Sequence, residues 1–222
     1  PDHPFKPVRY ELARTLLLAA GALDPAEVVA PAAIGDDDLR TVHDERYVAV
    51  VRAASAPATR PSDPELQRHG LATADNPVFD RMHELVRGVV AATVTALDLV
   101  AKGEALRAAN LSGGLHHALR DRASGFCVYN DLAVAIRRAV DRHGLRVAYV
   151  DVDAHHGDGV EKVFWDDPRV LTISLHETGQ MLFPGTGFPS DTGGEGAEGS
   201  AVNVALPPGT GDAGWLRAFH AV

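Results

Sequence analysis

Apolar positions at Val8, Leu12, Leu16 and Ala19–Ala20 recur at helical spacing and stop at Gly21, which predicts an amphipathic helix over residues 8–20. The short apolar run Val28-Val29-Ala30 reads as a strand candidate. Residues 36–54, with acidic starts at Asp36–Asp38 and at Asp44, read as one or two helices. Pro57, Pro61, Pro64, Gly70 and Pro77 make residues 55–77 a long loop, and loops of that length are functional or mobile. A long helix is expected from about Val78 to Lys102, ended by Gly103. Beyond it the rhythm changes. Ala105–Asn110 is a weak strand candidate, and Asn130 or Asp131 caps a helix that runs to His143. Arg146–Asp153, Val170–His176 and Ala201–Leu206 read as strands, with a Gly-rich loop over 184–199. A further helix starts at Asp212, its expected N-cap, and carries Trp215, Leu216, Phe219 and Val222 at helical spacing. Strands alternating with helices predict an α/β fold with a mainly parallel sheet. No repeat and no clean linker interrupts the chain, so one domain is expected over 1–222.

Composition narrows the functional classes. The 222 residues hold 21 Lys+Arg against 30 Asp+Glu, a net charge of −9, which argues against a general nucleic-acid or anionic-membrane binder. No apolar run reaches the length of a membrane span and no secretion signal opens the chain, so a soluble, cytoplasmic protein is expected. A single cysteine, Cys127, excludes an internal disulfide framework and a zinc site built on cysteines. The chain opens on Pro1 rather than Met, and no Gly, Pro or basic last turn closes the final helix. The expectation is therefore a trimmed start and a C-terminally incomplete fold. Oligomeric state leaves no trace in the pattern.

Candidate chemistry concentrates where the histidines do. Six of the 11 lie between His116 and His176. The segment Asp151-Val152-Asp153-Ala154-His155-His156-Gly157-Asp158-Gly159 follows an apolar run, Val147–Val150, that suits a buried parallel strand. Alternation along a strand puts Asp151 and Asp153 on one face, and one further extended step would add His155. Two carboxylates and an imidazole at the carboxyl end of a strand suit zinc or another first-row divalent ion. The competing reading makes the aspartates caps of the next helix and the histidines satisfied polar groups. His116-His117 follow Gly113-Gly114 in an irregular stretch, where both rings can reach one cleft as a general acid/base pair; alone, they could equally be a solvated pair. Gly194 to Gly199 matches G-x-G-x-x-G as a string, but without a strand before it and a helix after it a dinucleotide site is not expected. Cys127, among apolar neighbours, reads as an inert buried thiol.

Five ordered motifs then point to a family. Gly113-Gly114-Leu115-His116-His117-Ala118, Ser124-Gly125-Phe126-Cys127, Asn130-Asp131, Asp151–Gly159 and Phe183-Pro184-Gly185-Thr186-Gly187 together closely resemble the class I histone deacetylase family, in particular its bacterial acetoin-utilisation branch. The opening His3-Pro4-Phe5-Lys6-Pro7-Val8-Arg9 is similar to the family's start, and the resemblance covers essentially the whole chain. It implies the arginase/deacetylase fold, a mainly parallel central sheet flanked by helices. It implies a metal-dependent amidohydrolase acting on acetyl-lysine of an acetylated protein substrate, without direct nucleic-acid or membrane contact. By resemblance, Asp153 and His155 are metal ligands, for Zn2+ with Fe2+ as the alternative. His116 and His117 are the catalytic pair, with Asp151 and Asp158 as their carboxylate partners. Phe126 and Phe183 resemble the aromatic walls that hold the substrate stem, with Gly125 beside them. Asp75 matches a rim aspartate that holds the substrate backbone, which gives the loop 55–77 a purpose. Asp151, Asp153, His155, Ser174 and Leu175 fall where family members hold a structural potassium ion (K+), and Arg9 matches an arginine that lines an internal cavity.

The chain departs from the family's pattern at two points. The family's third metal ligand is an aspartate from a later strand, and a tyrosine from a later Gly-rich loop stabilises the oxyanion; neither motif occurs in residues 1–222. Two alternatives stand beside the protein deacetylase reading, the second of them motivated by these absent motifs. One is an acetylpolyamine or other small acylamine amidohydrolase. The other is a catalytically silent fragment.

Overall fold

A computed structural model describes residues 6–222, so His3, Pro4 and Phe5 of the family-like opening lie outside the described residues. The chain divides into two compact units, Pro1–Ala135 and Ile136–Val222, with the boundary inside a helix.

The first unit is helical. α1 (Val8–Ala19) forms where the periodicity predicts, yet buries none of its residues: Val8, Leu12 and Leu16 stay exposed. Val28-Val29-Ala30 is not a strand; a 3-10 turn, Pro25–Glu27, closed by the Asp24/Glu27 capping box, leads into irregular chain. Residues 36–54 form two helices, α2 (Asp36–Arg40) and α3 (Glu45–Ala54). α3 buries Tyr47, Val48, Val51 and Ala54, one face of a helix at spacings of one, three and four. The stretch read as an uninterrupted loop contains a 3-10 turn, Pro57–Thr59, and α4 (Asp63–Arg68). Pro64 misleads there: in a first turn its missing N–H is no loss, and Leu66 anchors the helix in the core. α5 (Met82–Ala101) begins after Arg81 rather than at Val78, because Arg81 takes a left-handed conformation. Ala105–Asn110 forms no strand, and Leu106 is almost fully exposed. The core gathers Leu39, Tyr47, Val51, Leu66, Leu71, Met82 and Val90, all at or near zero exposure.

α6 (Asp131–His143) carries the boundary. In the second unit β1 (Val147–Asp151), β2 (Val170–Glu177) and β3 (Ala201–Leu206) form a parallel sheet in the order β1-β2-β3. α7 (Asp158–Phe164) supplies the crossover from β1 to β2. Registers align Asp151 with Ser174 and Ser174 with Asn203, so polar residues meet across all three strands. β1 is an edge of this sheet, and Val150 is half-exposed rather than buried as its apolar run implied. The Gly-rich stretch is loop throughout, with no helix after Gly199, as expected. α8 (Asp212–Phe219) has Gly211, not Asp212, at its N-cap; Arg217 stands in its last turn and the His220 N–H closes it onto Leu216 and Ala218 carbonyls. Among the described residues no helix is long and apolar enough to cross a membrane.

Candidate active site

The His116-His117 segment lies between α5 and α6 in chain without regular structure, so its backbone polar groups need side-chain partners. Asn130 Oδ1 caps α6 by accepting the Ala133 N–H at 2.9 Å, while its Nδ2 donates to the carbonyls of His116 (3.2 Å) and Ala118 (3.0 Å). Asp131 does not cap. Its carboxylate accepts the N–H groups of Gly114 (3.2 Å) and Leu115 (2.8 Å) and the Thr93 hydroxyl at 2.5 Å. Burial pushes the Asp131 carboxyl up, opposed by those three donors.

Three further side chains strap the same stretch. His43 Nδ1 sits 2.9 Å from the Leu119 carbonyl, and His43 Nε2 accepts the Asn130 N–H at 3.0 Å. One partner only accepts and the other only donates, so the ring is neutral with its proton on Nδ1. Burial lowers its pKa to about 4. Tyr47 donates to the Val128 carbonyl at 2.6 Å, and His69 Nδ1 lies 2.6 Å from the Asp121 carbonyl. These straps leave His116 and His117 buried with ring centroids 4.0 Å apart and a 45° tilt. Adjacent residues of a regular strand would face apart; this irregular segment brings the rings together.

Ser124 and Cys127 exchange two backbone hydrogen bonds, 3.1 and 2.8 Å, around a two-residue turn in which Gly125 and Phe126 both have positive φ. For Phe126 that conformation is uncommon, and the residue is 39% exposed. Asp75 is exposed in the loop after α4, where the Thr73 hydroxyl accepts the Asn76 N–H. Arg9 is on the exposed α1.

In the second unit the acidic segment departs from the extended geometry expected of it. β1 ends at Asp151, whose Oδ1 accepts the Asp153 N–H at 2.9 Å; Asp153 Oδ1 in turn accepts the His155 N–H at 2.8 Å. Two consecutive Asx turns, not strand alternation, therefore set the directions of these side chains. Asp153 Oδ1 and His155 Nδ1 are 2.9 Å apart, half-exposed, and the Phe183 ring stands 6.1 Å from the His155 ring, edge-on. Asp158 is buried at the first position of α7, with Lys162 Nζ 3.6 Å from its carboxylate. Tyr149, unmarked in sequence, donates its hydroxyl to Asp151 Oδ2. Ser174 Oγ lies 2.9 Å from His176 Nδ1, and Leu175 is buried.

Behind this segment lies a polar cluster that sequence reasoning missed. His156 and His176 are buried with centroids 4.7 Å apart. His156 Nδ1 lies 2.9 Å from Thr186 Oγ1 and its Nε2 3.3 Å from Glu161 Oε2. Asn203 donates to Glu161 at 2.6 Å and to the Asp191 carbonyl at 3.0 Å, and His176 Nε2 donates to the Gly187 carbonyl at 2.8 Å. Burial lowers the His176 pKa. The available signal was Asn203, a polar residue inside the otherwise apolar run Ala201–Leu206.

Asp153 Oδ1 and His155 Nδ1, in hydrogen-bond contact at 2.9 Å, are carboxylate and imidazole donors of the kinds that ligate first-row divalent ions. They form a pair only: no group of three or more His, Cys, Asp or Glu side chains is placed for a metal among the described residues.

Sequence and fold comparisons establish the family. The family model described as histone deacetylase domain matches residues 3–222, across both units, and the chain belongs to that family. Among curated relatives it is similar to the acetoin utilization protein AcuC of Bacillus subtilis, 45% identical over 219 residues, covering 99% of this chain and 56% of that protein. The Staphylococcus aureus AcuC is 41% identical over 98% of this chain and 56% of its own length. The chain thus spans about half the length of the curated relatives it matches. Of solved structures, a histone deacetylase homologue from Aquifex aeolicus superposes with a TM-score of 0.85 at 31% identity, over 93% of this chain and 55% of the other. The fold is therefore that of the histone deacetylase homologues, in keeping with the arginase/deacetylase-like architecture expected from the motifs.

Proposed function

We propose that this chain contributes to a metal-dependent deacetylase that hydrolyses the acetyl amide of N6-acetyl-lysine in proteins, in a cytoplasmic setting. The observation that carries the reading is the Asp153–His155 donor pair at 2.9 Å with the Phe183 ring beside it. Asp153 and His155 would hold a zinc or ferrous ion, whose contribution when bound is Lewis acidity and a lowered pKa for water. His117 takes the proton of the attacking water and returns it to the leaving amine. His116, in ring contact with His117, supports the developing charge. Asp151 and Asp158 are the carboxylate partners of the two histidines. Phe126 and Phe183 each offer an aromatic face to the methylene stem of acetyl-lysine, Gly125 leaves room for it, and Asp75 holds the substrate's backbone. A structural potassium ion beside Asp151, Asp153, His155, Ser174 and Leu175 belongs to the same proposal, supported by the register of Asp151 with Ser174.

The test uses the full-length protein. Metal content is measured by mass spectrometry, and acetate release is followed from an acetyl-lysine peptide and from acetylspermidine. Turnover of the peptide in preference to the polyamine is expected, with loss on chelation. His117→Ala is expected to lower kcat by about 100-fold or more. Absence of turnover in metal-loaded protein between about pH 6 and about pH 9 would refute the proposal, and preference for acetylspermidine would move the substrate class to small acylamines.

A further inference from the structure

Asn130 and Asp131 are consecutive, fully buried, and between them bind the backbone on both sides of the two histidines. Asn130 takes the acceptors, the carbonyls of His116 and Ala118. Asp131 takes the donors, the amides of Gly114 and Leu115. The division of labour follows from chemistry: a carboxylate can only accept, an amide NH2 can only donate. Both side chains are rooted at the start of α6, where Asn130 Oδ1 caps the helix. A third element joins through Thr93 on α5, whose hydroxyl donates to Asp131 Oδ2 and accepts from Asn110 Nδ2 at 2.8 Å.

We propose that Asn130 and Asp131 are positioning residues that set the placement of the His116 and His117 rings through their backbone, without touching substrate. Neither side chain binds either ring among the contacts described for them. The need for a buried carboxylate is the second part of the inference. Apolar packing would hold a loop with less desolvation, but it would leave the Gly114 and Leu115 amides without partners. An acceptor-only group satisfies both at once, while Thr93 takes a remaining lone pair. The inference rests on the reading that His116 and His117 act on the substrate.

The experiment uses the full-length protein with Asp131→Asn and Thr93→Val, and His117→Ala as reference. Asp131→Asn keeps the shape but turns one acceptor oxygen into a donor, which opposes an amide N–H. Expected for Asp131→Asn are a fall in kcat of about 10- to 100-fold with KM within about threefold, unchanged metal content, and faster hydrogen exchange at Gly114 and Leu115. Thr93→Val, which leaves the carboxylate in place, is expected to move kcat and exchange in the same direction by less; it decides the matter if Asp131→Asn fails to fold. Unchanged kcat in a folded Asp131→Asn whose His117→Ala counterpart is inactive would overturn the positioning role. So would a loss of turnover that appears as KM or as lost metal, or with exchange unaltered. Turnover retained in His117→Ala would instead refute the catalytic assignment, and the exchange measurement would still report on the bracket.

Discussion

Replacing Gly187 by Ala tests whether the polar cluster behind the acidic segment holds the Phe183–Gly187 stretch in place. Gly187 is buried with φ +78°, and a Cβ there would lie 2.5 Å from both His156 Cγ and His176 Nε2. The same position accepts the His176 hydrogen bond through its carbonyl. Three costs combine: about 1–2 kcal/mol for an L side chain at positive φ, about 1–3 kcal/mol for forcing a methyl into packed rings, and about 1 kcal/mol for the strained hydrogen bond. Because both imidazoles sit in buried, packed positions, little relaxation is available and a total of about 3–6 kcal/mol is expected. Gly185 is the internal control. Its φ is +83°, but a Cβ there would meet nothing closer than Gly179 O at 3.8 Å, so Gly185→Ala carries the conformational cost alone. Urea denaturation followed by far-UV circular dichroism measures both variants. A difference of at least about 2 kcal/mol between them is expected. Equal losses, within about 0.5 kcal/mol, would refute the claim that the two histidines pack against the Gly187 backbone.

Other consequences are open to direct measurement. Tyr47→Phe removes the donor to the buried Val128 carbonyl and is expected to cost about 1–3 kcal/mol in chemical denaturation; a loss below about 0.3 kcal/mol would refute the strap. His43 is depressed in the folded state to about 4 against 6.5, so its contribution is fully present above pH 6.5 and is lost as pH falls from there towards 4, by about 3 kcal/mol in all. Titration of the His43 resonance by NMR checks this, and a midpoint near 6.5 would remove the predicted window. Asp167, beside the Arg169 guanidinium, is lowered to about 2; its contribution holds above the ordinary carboxylate range and fades as pH falls through about 2. Arg169→Ala is expected to return the Asp167 carboxyl towards 3.8, again read by NMR.

Long periodic elements were legible in sequence because their signal is local. α3, α5, α6 and the three strands lie within a few residues of where their spacing places them. The misses have physical causes. Val28–Ala30 has strand composition but gains no pairing partner, and Ala105–Asn110, rich in Ala and without a β-branched residue, has neither composition nor partner. α4 was hidden by Pro64, a residue that breaks helices everywhere except the first turn. The extended course drawn through Asp153 and His155 failed because Asp side chains can bind the backbone two residues on, which competes with strand geometry.

By itself, then, the sequence determined the chemistry: which residues are acidic, basic or aromatic, in which order, and hence the family of their motifs. Single residues with ordinary identities, by contrast, acquired roles only from tertiary structure. His43, Tyr47 and His69 are distant in sequence from the segment they strap, and Asn203 stands 42 residues from the Glu161 it binds. Hydrogen-bond partnership depends on distances of about 3 Å that no linear spacing encodes across loops of variable course. Only the fold decides which of many polar side chains meets which buried backbone group.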